Sequence, residues 1–285
     1  IKSNLPYAFK FGIGGSANGK GYAGLGEYAA TTYEIYKAQF WYEYDPIGNS
    51  WTQKQNLLNY SNAALNSGIL SAATALLNGD IYVFGGTSSG YNNLHTDNIY
   101  SYKPVSNTWQ IIDNEPGGNR TEAAGFYFNN KIYIGGGQDS EHLNDFYEYD
   151  ILLDTWTPKS NFSSSHGMRS AVELGGKGYF IGGYQLGSNY IDSLLEYNPT
   201  SNQWSAKASF PGGQRAKMVA LTYNGKLYAG MGQNTSGQEN STDFYSYDPS
   251  TNTWSGLASI PFLGGEDGYN LNYFTTIYDN NIEVK

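Results

Sequence analysis

Short apolar runs, each closed by a two-residue turn, recur along the whole chain. "SAATALL" (Ser71 to Leu77) runs into "NG" at 78–79, and "MVALTY" (Met218 to Tyr223) into "NG" at 224–225. "NN" at 129–130 and "GG" at 175–176 hold the same place in other copies. Asn and Gly accept the positive φ that a tight hairpin demands, so each run predicts a strand folding back on a second one. The second strands end in glycine: "GYAGLG", "IYVFGG", "KIYIGGG", "GYFIGG" and "LYAGMG". A polar loop of variable length follows. Next comes a strand of alternating aromatics, such as "DFYEYD" or "DFYSYDP". A Pro-Asn turn then leads to a strand carrying Trp. The unit is a four-stranded antiparallel meander, and no helical period appears.

The last turn has a fixed spacing. Tyr44 and Trp51, Tyr102 and Trp109, Tyr149 and Trp156, Tyr197 and Trp204, and Tyr247 and Trp254 are each separated by six residues. Five copies at intervals of 47 to 58 residues mark a repeat protein. A unit of this size buries its faces only against its neighbours, so the 285 residues are expected to form one domain.

The glycines paired with Tyr-x6-Trp resemble the kelch repeat over nearly the whole chain. The resemblance implies an all-β fold, a kelch-type β-propeller of four-stranded antiparallel blades around a central channel. Tyr and Trp would then flank one turn on adjacent outer strands, packing on each other and on the next blade. The blades are expected at about 7–57, 69–115, 120–162, 166–210 and 215–260. Residues 261–285 read either as the start of a sixth blade or as a shortened outer hairpin. "IKSNLP" at the N-terminus matches the tail of a Trp strand, "KASFP" at 207–211. Six sectors are favoured, the last incomplete and built from 261–285 with 1–6; a five-bladed ring is the rival. Leu25 and Met231, standing where the other units have the first glycine of a pair, read as apolar replacements that keep the pattern.

Composition narrows the function. Net charge is −9 without a Lys/Arg cluster, which argues against nucleic acid and anionic membranes. No apolar stretch approaches a membrane span of ~18 residues, so direct insertion is not expected. There is no Cys, hence no disulfide, thiolate metal site or Cys nucleophile. Copper oxidases that share this fold need a Cys for their crosslinked cofactor. With only His95, His142 and His166 and no ligand spacing among them, neither metal nor cofactor is expected. Tyr is abundant at 27, but fourteen occupy repeat positions and are assigned to packing.

Chemistry is expected on the face where the loops between second and third strands (27–39, 87–97, 138–144, 184–191 and 233–242) meet the links leading into each blade. Their Asn, Gln, Ser and Tyr content suits a protein partner or a glycan; Glu27, Gln138, Tyr184 and Gln233 are candidate contacts. Thirteen residues before the second-strand Tyr stand Arg120, His166 and Arg215, with Lys10 close to the same register. Such a ring reads as a cationic rim for an anion. The stretch "LPYAFKFGIGG…GYAGLG" is similar to the start of bacterial N-acetylneuraminate epimerases, which implies an alternative: a sugar mutarotase using Glu122 with Arg120 or Arg215. The favoured reading is a non-catalytic binding propeller, bacterial and exported to the periplasm, outer-membrane surface or exterior, with a place as one subunit of a larger assembly.

Overall fold

Each predicted two-residue turn places both of its residues in the left-handed region: φ is 53° and 83° at Asn78-Gly79, 53° and 61° at Asn129-Asn130, 62° and 79° at Gly175-Gly176, and 46° and 72° at Asn224-Gly225. Asn18-Gly19 adds a fifth (53° and 73°). These are the turns whose twist matches a right-handed strand pair. In the computed structural model they build five four-stranded antiparallel sheets. The described residues are 2–7, 12–31, 34–57, 69–88, 95–167, 169–185, 189–234 and 241–259. Residues 261–285, proposed for a sixth sector, lie outside them, as does Lys10.

Blade 1 comprises Ile13–Ala17, Lys20–Gly24, Trp41–Asp45 and Ser50–Gln53. Blade 2 comprises Ala73–Leu77, Asp80–Phe84, Asn98–Lys103 and Thr108–Asn114. Blade 3 is Ala124–Phe128, Lys131–Gly135, Phe146–Asp150 and Thr155–Pro158. Blade 4 is Ser170–Leu174, Lys177–Ile181, Leu194–Asn198 and Gln203–Lys207. Blade 5 is Val219–Tyr223, Lys226–Gly230, Phe244–Asp248 and Thr253–Gly256. Blades 1 and 2 belong to one compact unit and blades 3 to 5 to another, the division falling between Thr121 and Glu122. The described residues contain no helix, so none that could cross a membrane.

The Tyr-x6-Trp spacing has a complete physical account. The two residues are direct cross-strand partners, for example Tyr197 opposite Trp204 and Tyr247 opposite Trp254. Their ring centroids are 4.7–5.1 Å apart in all five copies. Between them stands Asn49, Asn107, Asp154, Asn202 or Asn252, each with φ of 48–55°. Its side-chain oxygen accepts the Tyr hydroxyl at 2.5–2.9 Å. In four copies the same oxygen also accepts a backbone N–H from the preceding segment: Ser3, Gln55, Ser160 and Ala208. The Trp indole N–H donates to the carbonyl of that very residue, from Trp51 to Ser3, Trp109 to Gln55, Trp204 to Ser160 and Trp254 to Ala208. The aromatic pair therefore clamps the preceding blade, which corrects the expectation that it packs on the next one. Ser3 stands to Trp51 as Ala208 stands to Trp254, the role expected for a Trp-strand tail.

A second device was not anticipated. The second-strand Tyr faces a third-strand Glu across the sheet: Tyr22 opposite Glu43, Tyr133 opposite Glu148, Tyr179 opposite Glu196. Tyr22 donates to Glu43 at 2.6 Å and Tyr179 to Glu196 at 2.5 Å. Lysines complete the network, with Lys131 and Lys159 on Glu148, and Lys177 and Lys207 on Glu196. Each buried carboxylate is thus both paired and hydrogen-bonded, as burial of a charge requires.

Leu25 and Met231 are more than apolar replacements. Their φ values are 56° and 59°, the region their glycine counterparts adopt (Gly85 57°, Gly136 65°, Gly182 61°). An L side chain is strained there.

Candidate functional site

The links into blades 2 to 5 are each held by the loop region of the blade before. The carbonyls of Ile69, Arg120, His166 and Arg215 accept N–H bonds of 2.7–2.9 Å from Gly26, Gly86, Gly137 and Gly183, respectively. These four residues share one register, as their common distance from the second-strand Tyr implied. Links also pair with the loop of their own blade: Ile69–Leu70 with Thr87–Ser88, Gly167 with Tyr184, and Arg215–Ala216 with Gln233–Asn234. Within each unit, loops and links are therefore hydrogen-bonded to one another; Glu27 starts a loop ribbon in blade 1 and Gln233 is a loop residue of blade 5.

The cationic rim is corrected by the side chains. Arg120 is fully buried, its Nε 2.8 Å from the buried carboxylate of Glu115. Arg215 is 5% exposed and bonds Asp243 at 2.6 Å, the carbonyl of Met231 at 3.1 Å and the carbonyl of Gly212. Phe210 covers its guanidinium at 5.0 Å. His166 is buried too, and burial, aided by the charge of Arg169, pushes its imidazole down to about 4, so it is neutral at pH 7. Both arginines are already paired with acids of this chain, and neither presents its charge to solvent.

Four of the candidates do come together, in the unit that holds blades 3 to 5. Tyr184 donates its hydroxyl to Glu122 at 2.5 Å. Glu122 has φ of 62°, a conformation unusual for a non-glycine residue, which is why its position two after Arg120 did not reveal its neighbours. Gly167 makes room for the pair: a Cβ there would stand 3.1 Å from the Glu122 carboxylate and 3.2 Å from the Tyr184 ring. Gln138 also hydrogen-bonds the Tyr184 side chain, while burial and Glu122 push that phenol's pKa upward. Beside it, Gln185 donates to Ser164 at 3.0 Å and lies 3.3 Å from Nε2 of His166, which contacts Ser164 at 3.1 Å.

His142 completes the cluster and was missed as a site residue. Its ring meets Tyr184 edge-on at 5.0 Å, and the bridge between Gln138 and His142 holds it there. Both of its ring nitrogens are buried, and neither has a hydrogen-bond partner among the described residues. The only signal for it in the sequence was its place in the loop 138–144. Among the described residues no group of three His, Asp or Glu gathers to hold a metal.

Comparison with known proteins agrees with this architecture. The KLHDC2/KLHL20/DRC7 Kelch-repeats domain matches residues 38–171 and 73–265. The chain belongs to the kelch-repeat family, and its fold is the all-β kelch propeller. Kelch-like protein 25 of Xenopus tropicalis is 30% identical over 172 residues, covering 59% of this chain and 27% of that protein. Kelch-like protein 23 of Homo sapiens is 26% identical over 64% of this chain and 30% of that protein. The chain thus spans about a third or less of these relatives. An N-acetylneuraminate epimerase of Pasteurella multocida is 28% identical over 61% of this chain and 55% of the enzyme. Among solved structures, that of YjhT aligns with a TM-score of 0.70 at 18% identity, over 91% of this chain and 86% of that one, a likeness of fold.

Proposed function

We propose that this kelch propeller is a non-catalytic binding module that holds a protein partner or a glycan on the surface made by its loops and blade links. The observation that carries this reading is the pair of His142 ring nitrogens, which find no hydrogen-bond partner among the described residues, the ring lying against Tyr184 with its backbone bridged to Gln138. Buried polar atoms without partners are costly, and a neutral polar ligand would satisfy them. The cluster is rich in neutral donors and acceptors, as a wet interface requires. Export of a bacterial chain, and a place in a larger assembly, belong to the same proposal. The test is binding of the wild type and a His142→Phe variant to a glycan array and to partners captured from the source organism. Loss of one specific interaction in the variant, at unchanged stability, is expected; an identical binding profile would overturn the reading.

The alternative, a sugar mutarotase, is favoured by the Glu122–Tyr184 pair, an acid and a base in hydrogen-bond contact, and by the similarity to N-acetylneuraminate epimerase. Against it, Arg120 and Arg215 are buried in ion pairs rather than open to a substrate carboxylate. Proton NMR of freshly dissolved N-acetylneuraminate separates the two. The binding reading expects anomers to equilibrate at the buffer rate; acceleration that Glu122→Gln abolishes would establish the enzyme.

A further inference from the structure

Arg169 is a buried cation with no acid paired to it among the described residues. It is 8% exposed, and its guanidinium donates to the carbonyl of Phe180 at 3.2 Å and to the hydroxyl of Ser193 at 2.6 Å. Its Nε has no partner among the described residues. Blade 5 shows what such a site ordinarily contains. The carbonyls of Ser193 and Asp243 hold one register, accepting N–H bonds from Gly182 and Met231 at the same point of their blades. In blade 5 an arginine from the lead-in link, Arg215, reaches that register and finds the carboxylate of Asp243 at 2.6 Å. In blade 4 the lead-in register carries the neutral His166. The arginine stands three residues later, where blade 5 has Met218, and reaches Ser193. No carboxylate among the described residues forms an ion pair with Arg169, and burial alone accounts for a guanidinium pushed down to about 9.

A charge held in this way is costly unless a counter-charge arrives. Gly183 shows that the space is shaped around the side chain: its φ is 100°, and a Cβ there would stand 2.6 Å from Cγ of Arg169. Ser193 accepts from Arg169 and retains its own O–H to donate.

We propose that Arg169 and Ser193 form a subsite for the carboxylate of a small free anion, the ligand supplying the acid that Asp243 supplies in blade 5. Arg169 would bond the carboxylate through its unused N–H groups and Ser193 through its hydroxyl. This goes beyond the loop-surface reading, and it stands or falls on response to carboxylates rather than on capture of a partner.

The experiment is a thermal-denaturation titration with sodium acetate against sodium chloride at matched ionic strength, on the wild type, Arg169→Gln and Ser193→Asp. The wild-type midpoint is expected to rise with acetate beyond chloride. Ser193→Asp installs the missing carboxylate, so its midpoint in chloride should exceed the wild type's and its acetate affinity should fall at least tenfold. Arg169→Gln should also lose the response; should it fail to fold, Ser193→Asp decides alone. A wild type indifferent to acetate, or a Ser193→Asp variant that still responds as the wild type does, would overturn the proposal. A capped Gly-Asp-Gly peptide presents the same group on a chain. Weaker binding than acetate is expected, and tighter binding would overturn the assignment to a free ligand.

Discussion

Trp204 donates its indole N–H to the carbonyl of Ser160 at 2.7 Å, while the N–H of Ser160 is received by Asn202, two residues before that Trp. One residue of blade 3's outer edge is thus gripped from both sides by a single turn of blade 4. The ring of Trp204 then packs on Phe162 at 4.4 Å, Phe146 at 4.9 Å and Phe180 at 5.2 Å. Hydrogen bond and aromatic contact act together, which accounts for the repetition of Trp at this position rather than another large apolar residue.

Trp204→Ala should therefore cost about 3–5 kcal/mol, through the cavity left against Phe162 and Phe146. Trp204→Phe keeps much of the contact and loses the N–H, for about 1–2 kcal/mol. Urea denaturation of both variants checks the order. A Trp204→Phe variant as stable as the wild type would show that the indole N–H contributes nothing to the clamp.

Asn202 separates backbone from side-chain effects. It has φ of 54°, and its oxygen accepts from Tyr197 at 2.8 Å and from Ser160 at 2.8 Å. Asn202→Gly relieves the φ requirement but loses both bonds; Asn202→Ala loses the bonds and is strained as well. The glycine variant is expected to lose about 1–2 kcal/mol and the alanine variant about 1 kcal/mol more. An alanine variant as stable as the glycine one would mean that the turn relaxes out of the left-handed region.

Glu196 links stability to acid. It is 6% exposed, and burial alone would raise its pKa, but Lys177, Tyr179 and Lys207 more than reverse this and hold the carboxyl below its ordinary value. Because the folded pKa lies below the unfolded one, the contribution is present above about pH 4.5 and disappears as pH falls through the folded value. Glu196→Gln should cost about 2–3 kcal/mol at pH 7, leaving two lysines without their acid, and progressively less below pH 4.5. Chemical denaturation at pH 7 and pH 3.5 reads the difference. A loss of the same size at both would locate the effect in packing.

The blades were legible because their signals are local. A Gly or Asn turn, a strand period of two and a fixed Tyr-to-Trp spacing each constrain neighbouring residues, and the strands fall where these placed them. The register of Arg120, His166 and Arg215 was legible for the same reason. Their environment was not, because the partners lie far along the chain: Asp243 is 28 residues from Arg215, and Tyr184 is 62 from Glu122. A cation at the mouth of a blade reads alike whether it faces solvent or an acid of its own chain. His142 was hidden for a simpler reason, since a single loop histidine has no pattern to mark it. Residues 261–285 had two alignments and no Trp to choose between them.

His166 yields the clearest pH dependence. It is 3% exposed, with its ring between Ser164 and Gln185. Burial first, and then the charge of Arg169, lower its pKa from 6.5 to about 4. Below pH 6.5 the unfolded chain takes up a proton that the folded chain refuses, so the folded state loses stability as pH falls from about 6.5 to about 4. At about 1.4 kcal/mol for each unit of pH, the loss between pH 6.5 and pH 5 is about 2 kcal/mol. Between pH 6.5 and pH 5 this loss lies above the range in which Glu196 acts, so the two effects are read separately there. His166→Gln carries no titrating group but retains donors and acceptors for Ser164 and Gln185. Its stability should be flat from pH 7 to pH 5, while the wild type declines. Urea denaturation at half-unit intervals, with the His166 ring followed by NMR, makes the comparison. A ring that titrates near pH 6.5 in the folded protein, or a wild type as flat as the variant, would show that this histidine stands in water and not in the packed link described above.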